Sequence, residues 1–355
     1  MEALNKANTN FALDFFKHQC QEDGNKNILF APLSISSVLA TVYLGAKGNT
    51  ADQMAKVSLG PERSERTEIG KSGNIHTGFK ALNLEINKPN KNYMLKSVNQ
   101  LYGEKSLPFS KEYLQLAKKY YNAEPQAVDF MGAANEIRRE INSRVEEQTE
   151  GKIQNLLPPG SIDSLTRLVL VNALYFKGTW ATKFEAEATR QRPFRINTHT
   201  TKPVPMIMFI LLPRDIAGLQ KLIRELTFEN LSAWTSPELM EKMKVELYLP
   251  RFTVEEKYNL KSALSKMGIQ DAFTEGQADF TGMSEKDNLV LSQVFHKCYV
   301  EVNEEGTEAA AASSAALTSR SLGAAIIFVA DHPFLFFIRH NSTKCILFLG
   351  RFCSP

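Results

Sequence analysis

The sequence predicts an α+β fold, and three features carry that reading. Helix-like apolar spacing dominates the first half of the chain. A nearly unbroken apolar run at residues 167–176, RLVLVNALYF, has the character of a central strand covered on both faces. The C-terminus packs three short apolar runs, 325–330, 334–338 and 345–349, divided by Asp331-His332-Pro333 and Asn341-Ser342-Thr343-Lys344, as a hairpin-rich β ending would. Helices grouped ahead of strands separate this class from an alternating α/β chain.

The elements follow in order. Phe11, Leu13, Phe15 and Phe16 form the apolar cluster of a first helix, with Thr9 or Asn10 available as its cap. Residues 25–27 punctuate, and residues 28–30 read as a short strand. Pro32 opens a second helix over residues 34–44, apolar on most faces and therefore buried, and residues 45–48 close it. The polar, turn-rich stretch 60–75 reads as an exposed loop. Ile137, Ile141 and Val145 recur at four-residue spacing in a charged background, a surface helix ended by Gly151. Residues 245–249 alternate like a half-exposed strand, and residues 258–267 return to helix. No internal repeat is present.

Composition excludes several classes. The chain has 355 residues, enough for two domains or one large mixed one, and long enough to bury a core without disulfide staples. Its 42 basic and 39 acidic residues leave a net charge of +3, too even for a nucleic-acid footprint. With 43% hydrophobic and 23% charged residues it is not a disordered chain. Cys20, Cys298, Cys345 and Cys353 form no C-x-x-C pair and read as reduced thiols. Glu2 stands where a secretory signal wants positive charge, and no stretch of 18 apolar residues marks a membrane span. The sequons at Asn230 and Asn341 then read as ordinary surface asparagines. The expectation is a soluble, cytoplasmic protein with no nucleic-acid or membrane partner.

Local catalytic motifs are missing. His18, His76, His199, His296, His332 and His340 show no metal spacing, and no nucleophile elbow, phosphate loop or dinucleotide fingerprint occurs. The chain reads as no enzyme, with no metal or cofactor implied.

One stretch breaks the globular pattern: EVNEEGTEAAAASSAALTSRS, residues 301–321. On the residues alone two readings stay open. Alanine-rich composition suits a helix or a small-residue linker. Alternatively, Thr307, Ala309, Ala311, Ser313, Ala315 and Leu317 share one parity and none is charged, so the segment could enter a sheet without burying a charge. Arg320, flanked by Ser319 and Ser321, is either a solvated loop arginine or bait for a protease with an acidic specificity pocket.

The stretch Glu305-Gly306-Thr307-Glu308-Ala309-Ala310-Ala311-Ala312 resembles the hinge of an inhibitory serpin. Residues 27–37 (NILFAPLSISS), 170–178 (LVNALYFKG), His296-Lys297 before Val300-Glu301-Val302, and 331–338 (DHPFLFFI) match the same family. The ending GRFCSP resembles the ovalbumin-type, mostly intracellular branch. The similarity spans essentially the whole chain. It implies one domain over residues 1–355, with three β-sheets, about nine helices and an exposed hinge and reactive-centre loop at 304–330. It also implies a monomeric inhibitor at some risk of loop–sheet polymers, which traps a protease as an acyl-enzyme and inserts its cleaved loop into the main sheet. Counting from the hinge, with Glu304 as the seventeenth residue before the scissile bond, places cleavage at Arg320–Ser321 and implies a trypsin-like serine protease as partner. Ser34, Asn172 and His296 match the family's shutter, and Trp180 matches the breach where insertion begins. On the residues alone, the first three are buried polar groups and Trp180 is core packing.

Two departures stand out. Ala31 occupies a position usually held by serine, which removes a shutter hydroxyl at a cost of about 1 kcal/mol if its partner is left unsatisfied. At residues 203–213, PVPMIMFILLP, two strands that relatives keep apart are fused, near residues 206–208. Roughly 30 residues are missing there, two or three strands of ordinary length from the B/C-sheet region.

Overall fold

A computed structural model describes the chain except residues 1, 23, 60–68, 89–92, 179–183, 185–188, 190–191, 196–200, 205–209, 237, 240–244, 287–288, 305–325 and 341–342. Helix α1 (Glu2–Glu22) buries Phe11, Leu13, Phe15 and Phe16, the cluster that predicted it. After β1 (Ile28–Phe30) comes α2 (Pro32–Tyr43), with proline in its first turn and every side chain from Pro32 to Val42 buried. Such a helix is hydrophobic all round because protein covers it all round.

Next come α3 (Gly48–Leu59), α4 (Ile69–Ile86), β2 (Tyr93–Glu104), α5 (Lys111–Tyr121), β3 (Gln126–Val128), α6 (Phe130–Gln148) and β4 (Leu168–Gly178). Three of these correct the sequence reading. Gly48 opens a new helix where only a turn was expected. Residues 69–75 belong to α4, not to a loop. The twelve-residue β2 breaks the rule of helices first. Ser110 caps α5 by accepting from the Tyr113 N–H, and Asn122 ends it in the left-handed conformation.

The rest comprises β5 (Arg192–Arg195), β6 (Thr201–Val204), β7 (Ile210–Leu211), α7 (Gly218–Glu225), α8 (Phe228–Trp234), β8 (Val245–Tyr248), β9 (Phe252–Asn259), α9 (Lys261–Met267), β10 (Leu291–Val302), β11 (Ile326–Val329), β12 (Phe334–His340) and β13 (Cys345–Phe352). Tyr258, expected in a helix, is in β9, because it pairs opposite His296 of β10. Strand β8 does not alternate: Val245 and Glu246 are both exposed, and the strand's partner is β11. Only β12 and β13 form the expected C-terminal hairpin.

Among the described residues there are nine α-helices, the number the family resemblance implies, and two large sheets. One sheet runs β3-β2-β4-β10-β9, the other β1-β13-β12-β7; β8–β11 and β5–β6 form two-stranded ladders beside them. Strand β4 explains its own sequence. Val169, Val171, Ala173 and Tyr175 pack with Phe130, Ile141 and Val145 of α6 on one face. Leu168 and Leu170 face the cluster that holds α1 and α2 on the other. Asn172 is the polar residue on that second face.

The fused stretch joins different layers. Strand β6 pairs with β5, while β7 pairs with β12, and five residues separate them. Strand β7 covers only Leu335 and Phe336 of the seven-residue β12. On that side the remaining β12 residues have no ladder partner among the described residues.

The second sheet depends on a close approach at Gly350. A Cβ there would lie 2.7 Å from the Ile28 carbonyl oxygen and 2.6 Å from the Phe336 ring. Replacing Gly350 by alanine is expected to destabilise the fold by about 1–3 kcal/mol, read as a lower urea midpoint. An unchanged midpoint would show that β1 and β12 are free to move apart.

Candidate functional site

Pairing register sets one polar row across the five-stranded sheet. Asn99 of β2 lies opposite Asn172 of β4, Asn172 opposite His296 of β10, and His296 opposite Tyr258 of β9. Asn172 and His296 are fully buried, and Ser34 reaches the row from the first turn of α2 at 7% exposure. The sequence reading named Ser34, Asn172 and His296, and the fold brings all three together.

Their hydrogen bonds close into a network. The Asn172 amide donates to Ser34 Oγ at 2.5 Å and to Asn99 Oδ1. His296 Nδ1 faces Asn172 Oδ1 at 2.5 Å, and the Ala31 N–H donates to His296 Nε2 at 3.1 Å. These partners fix the protonation state. Nε2 accepts, so it carries no proton, and Nδ1 donates, so the imidazole is neutral. Burial agrees, pushing the His296 pKa down to about 3. The Tyr258 ring stacks on the imidazole with 6.3 Å between centroids and 12° between planes.

Ala31 does not leave the orphan its missing hydroxyl suggested. Its backbone N–H occupies His296 Nε2, and no side-chain polar atom of Ser34, Asn99, Asn172 or His296 is buried without a partner. The expected cost of about 1 kcal/mol therefore has no unsatisfied group to fall on.

The network straddles a particular seam. Strands β4 and β10 pair in parallel from Leu168↔Leu291 to Phe176↔Val300. Their outer neighbours β2 and β9 are antiparallel to them. At the exit of β10, Glu304 is held from three sides. Its carbonyl accepts from the Phe184 N–H at 3.0 Å. Its carboxylate accepts from Thr189 Oγ1 at 2.9 Å and lies 4.0 Å from Arg251. Beyond it, Glu305, Gly306, Thr307, Glu308, Ala309, Ala310, Ala311, Ala312, Arg320 and Ser321 lie outside the described residues, as does Trp180.

Asn99 and Tyr258 were missed in the sequence. Asn99 sits in a strand whose half-polar pattern gave no reading, and Tyr258 was assigned to a helix.

The buried imidazole makes stability depend on pH. An unfolded histidine takes up a proton near its ordinary pKa of about 6.5, whereas folded His296 resists until about 3. Between those values the unfolded state binds more protons, so stability falls as pH falls. From pH 7 to pH 5, His296 should contribute a loss on the order of 2 kcal/mol. Urea unfolding of the protein and of His296→Gln at both pH values tests this: the pH-dependent loss shrinks in the variant. Equal losses in both would mean that His296 is not held neutral.

The serpin (serine protease inhibitor) family model matches residues 6–208 and 206–355. Serpin B10 of Otolemur garnettii is 48% identical and human Serpin B10 47%, each over 397 aligned positions and 100% of both chains. Human plasminogen activator inhibitor 2 is 45% identical, again over 100% of both. Against 355 residues here, 397 aligned positions leave 42 of the Serpin B10 alignment without a counterpart along the whole chain. The family match breaks at residues 206–208, where the fused stretch lies. Uncleaved ovalbumin superposes with a TM-score of 0.87 at 36% identity, covering 99% of this chain and 100% of that one. Maspin superposes with a TM-score of 0.87 at 34% identity, covering 99% of each. A parallel seam closed by a buried polar row, in a fold shared with these proteins over its whole length, makes this chain a member of the serpin family and of its ovalbumin-type branch.

Proposed function

We propose that the chain is a suicide inhibitor of trypsin-like serine proteases, with Arg320–Ser321 as the bait bond. The protease serine attacks the Arg320 carbonyl carbon. The peptide bond to Ser321 breaks, Ser321 leaves as a new amino terminus, and an ester holds the protease to Arg320. Residues 305–320 then enter the main sheet between β4 and β10.

The parallel seam is the observation that carries this reading. A segment leaving the C-terminal end of β10 must turn back to lie beside it. Because β4 and β10 are parallel, the returning segment runs antiparallel to both. One parallel ladder is thereby exchanged for two antiparallel ones, the slightly more stable kind per residue. Loop insertion in serpins is an established instance of such strand addition. Thr307, Ala309, Ala311, Ser313, Ala315 and Leu317 would bury one face without a charge. Ser34, Asn172 and His296 act as the shutter, since the His296–Asn172 bond crosses the seam and must break for it to part. Residues 305–312 serve as the hinge, and Trp180 belongs to the breach where insertion starts.

The protein would act as a monomer in the cytoplasm. All four cysteines are free, which suits a reducing compartment. No described helix is long and apolar enough to cross a membrane.

A second reading, a serpin-fold substrate that is cleaved without trapping, is favoured by the 42 unmatched positions and by the break in the family match at residues 206–208. Mixing the protein with trypsin, followed by denaturing electrophoresis and mass spectrometry, separates the two. Inhibition predicts a covalent adduct acylated at Arg320 and release of residues 321–355. Arg320→Ala should abolish the adduct. Ala309→Glu, which would bury a charge on insertion, should leave cleavage at Arg320 but lose the adduct. Cleavage of the unmodified chain with no adduct would establish the substrate reading instead.

A further inference from the structure

Helix α4 meets the end of α5 through a buried histidine. His76 is 2% exposed, and its Nδ1 lies 2.5 Å from the Tyr121 hydroxyl oxygen. Its ring packs among phenols: Tyr43 at the end of α2, with 5.9 Å between centroids, and Tyr120 and Tyr121 of α5, at 5.6 and 5.7 Å. Ile75 and Phe79 flank it on α4, both buried, and the Phe79 ring stands 6.2 Å from that of Tyr121. One imidazole thus joins three elements.

No charged group stands ready to balance a proton on that ring. Burial, and after it the charge of Asp52 on α3, raises the pKa of Tyr43, and burial raises that of Tyr121, so both stay phenols. Lys80, one turn further along α4, is exposed, and Lys119 of α5 lies 5.0 Å above the Tyr120 ring. Both carry the sign of a protonated imidazole, so neither can neutralise it. Burial therefore acts unopposed and pushes the His76 pKa down to about 4. A histidine released to water takes its proton near its ordinary pKa of about 6.5. Between those values the released form binds more protons than the packed one, so opening of the junction becomes more favourable as pH falls.

We propose that the α4–α5 junction is an acid-opened latch, in which proton uptake by His76 frees residues 75–80 of α4 from the end of α5. The far half of α4 stays in place. There Asn83 Nδ2 donates to Ser37 Oγ of α2 at 3.0 Å, the Tyr93 hydroxyl of β2 donates to the Ile86 carbonyl at 3.1 Å, and Leu82 and Ile86 are buried. The latch is separate from the seam: His296 joins β10 to β4, whereas His76 acts on one pair of helices. Nothing in it depends on protease trapping, so it stands or falls independently of that activity.

Hydrogen–deuterium exchange of the whole chain, read by mass spectrometry at pH 7.5 and pH 5 and corrected for intrinsic rates, tests the latch. Amides of residues 75–80 and 117–121 should open about 25-fold more often at pH 5, the factor given by a pKa of about 4 packed and about 6.5 released. Amides of residues 82–86 and of β4 should not follow. His76→Phe paired with Tyr121→Phe keeps the aromatic packing and leaves no orphan hydroxyl; it should hold the exchange of residues 75–80 level across the two conditions. His296→Gln should keep the response, which separates this histidine from the one at the seam. A uniform rise across α4, β4 and β10 would show that acid opens the whole fold instead. No rise at residues 75–80, or the same rise in the double variant, would show that His76 does not control the junction. Any of these three results overturns the proposal.

Discussion

A single hydrogen bond between a neutral imidazole and an amide, buried where two parallel strands meet, carries the logic of this molecule. His296 and Asn172 are both sealed from water, so neither can be left unpaired without the full desolvation cost of a buried polar group. The bond therefore spans β4 and β10 alongside their backbone ladder. It also ties both strands to α2, through Ser34 and the Ala31 backbone. Every other element of the central layer is arranged around that junction. Helix α6 closes one face of the sheet, α2 fills the other, and β10 runs parallel to β4 along the seam.

The second sheet holds the strand that follows the break in the family match at residues 206–208. Strand β7 still finds β12, but only for two residues, and the edge beyond is left without a ladder partner among the described residues. Even so, β12 and β13 are almost wholly buried, with Phe334, Phe336, Leu349 and Phe352 inside the core.

Much of this was legible in the sequence. The run at residues 167–176 announced a strand covered on both faces, and its lone Asn172 marked the one polar contact within it. Pro32 and the apolar stretch behind it located α2 within two residues. Other parts were hidden for physical reasons. Strand β2 is half polar because its first half is only partly buried, so it has no clean period, and Asn99 went unread with it. Tyr258 is separated from His296 by 38 positions, and only the β9–β10 register brings their rings together. Ala31 looked like a loss because sequence reveals side chains only; its backbone N–H makes the contact.

The most direct test of the account asks whether the seam can open and reclose around a new strand. A single cut within residues 313–320 by a metalloprotease, which forms no acyl-enzyme, followed by thermal melting of intact and cut protein, measures this without a trapped protease. If β4 and β10 accept the returning segment, the cut protein gains two antiparallel ladders and should melt more than about 10 °C higher. A cut protein that melts with the intact one, or below it, would contradict the claim that the sheet is built to part at this seam.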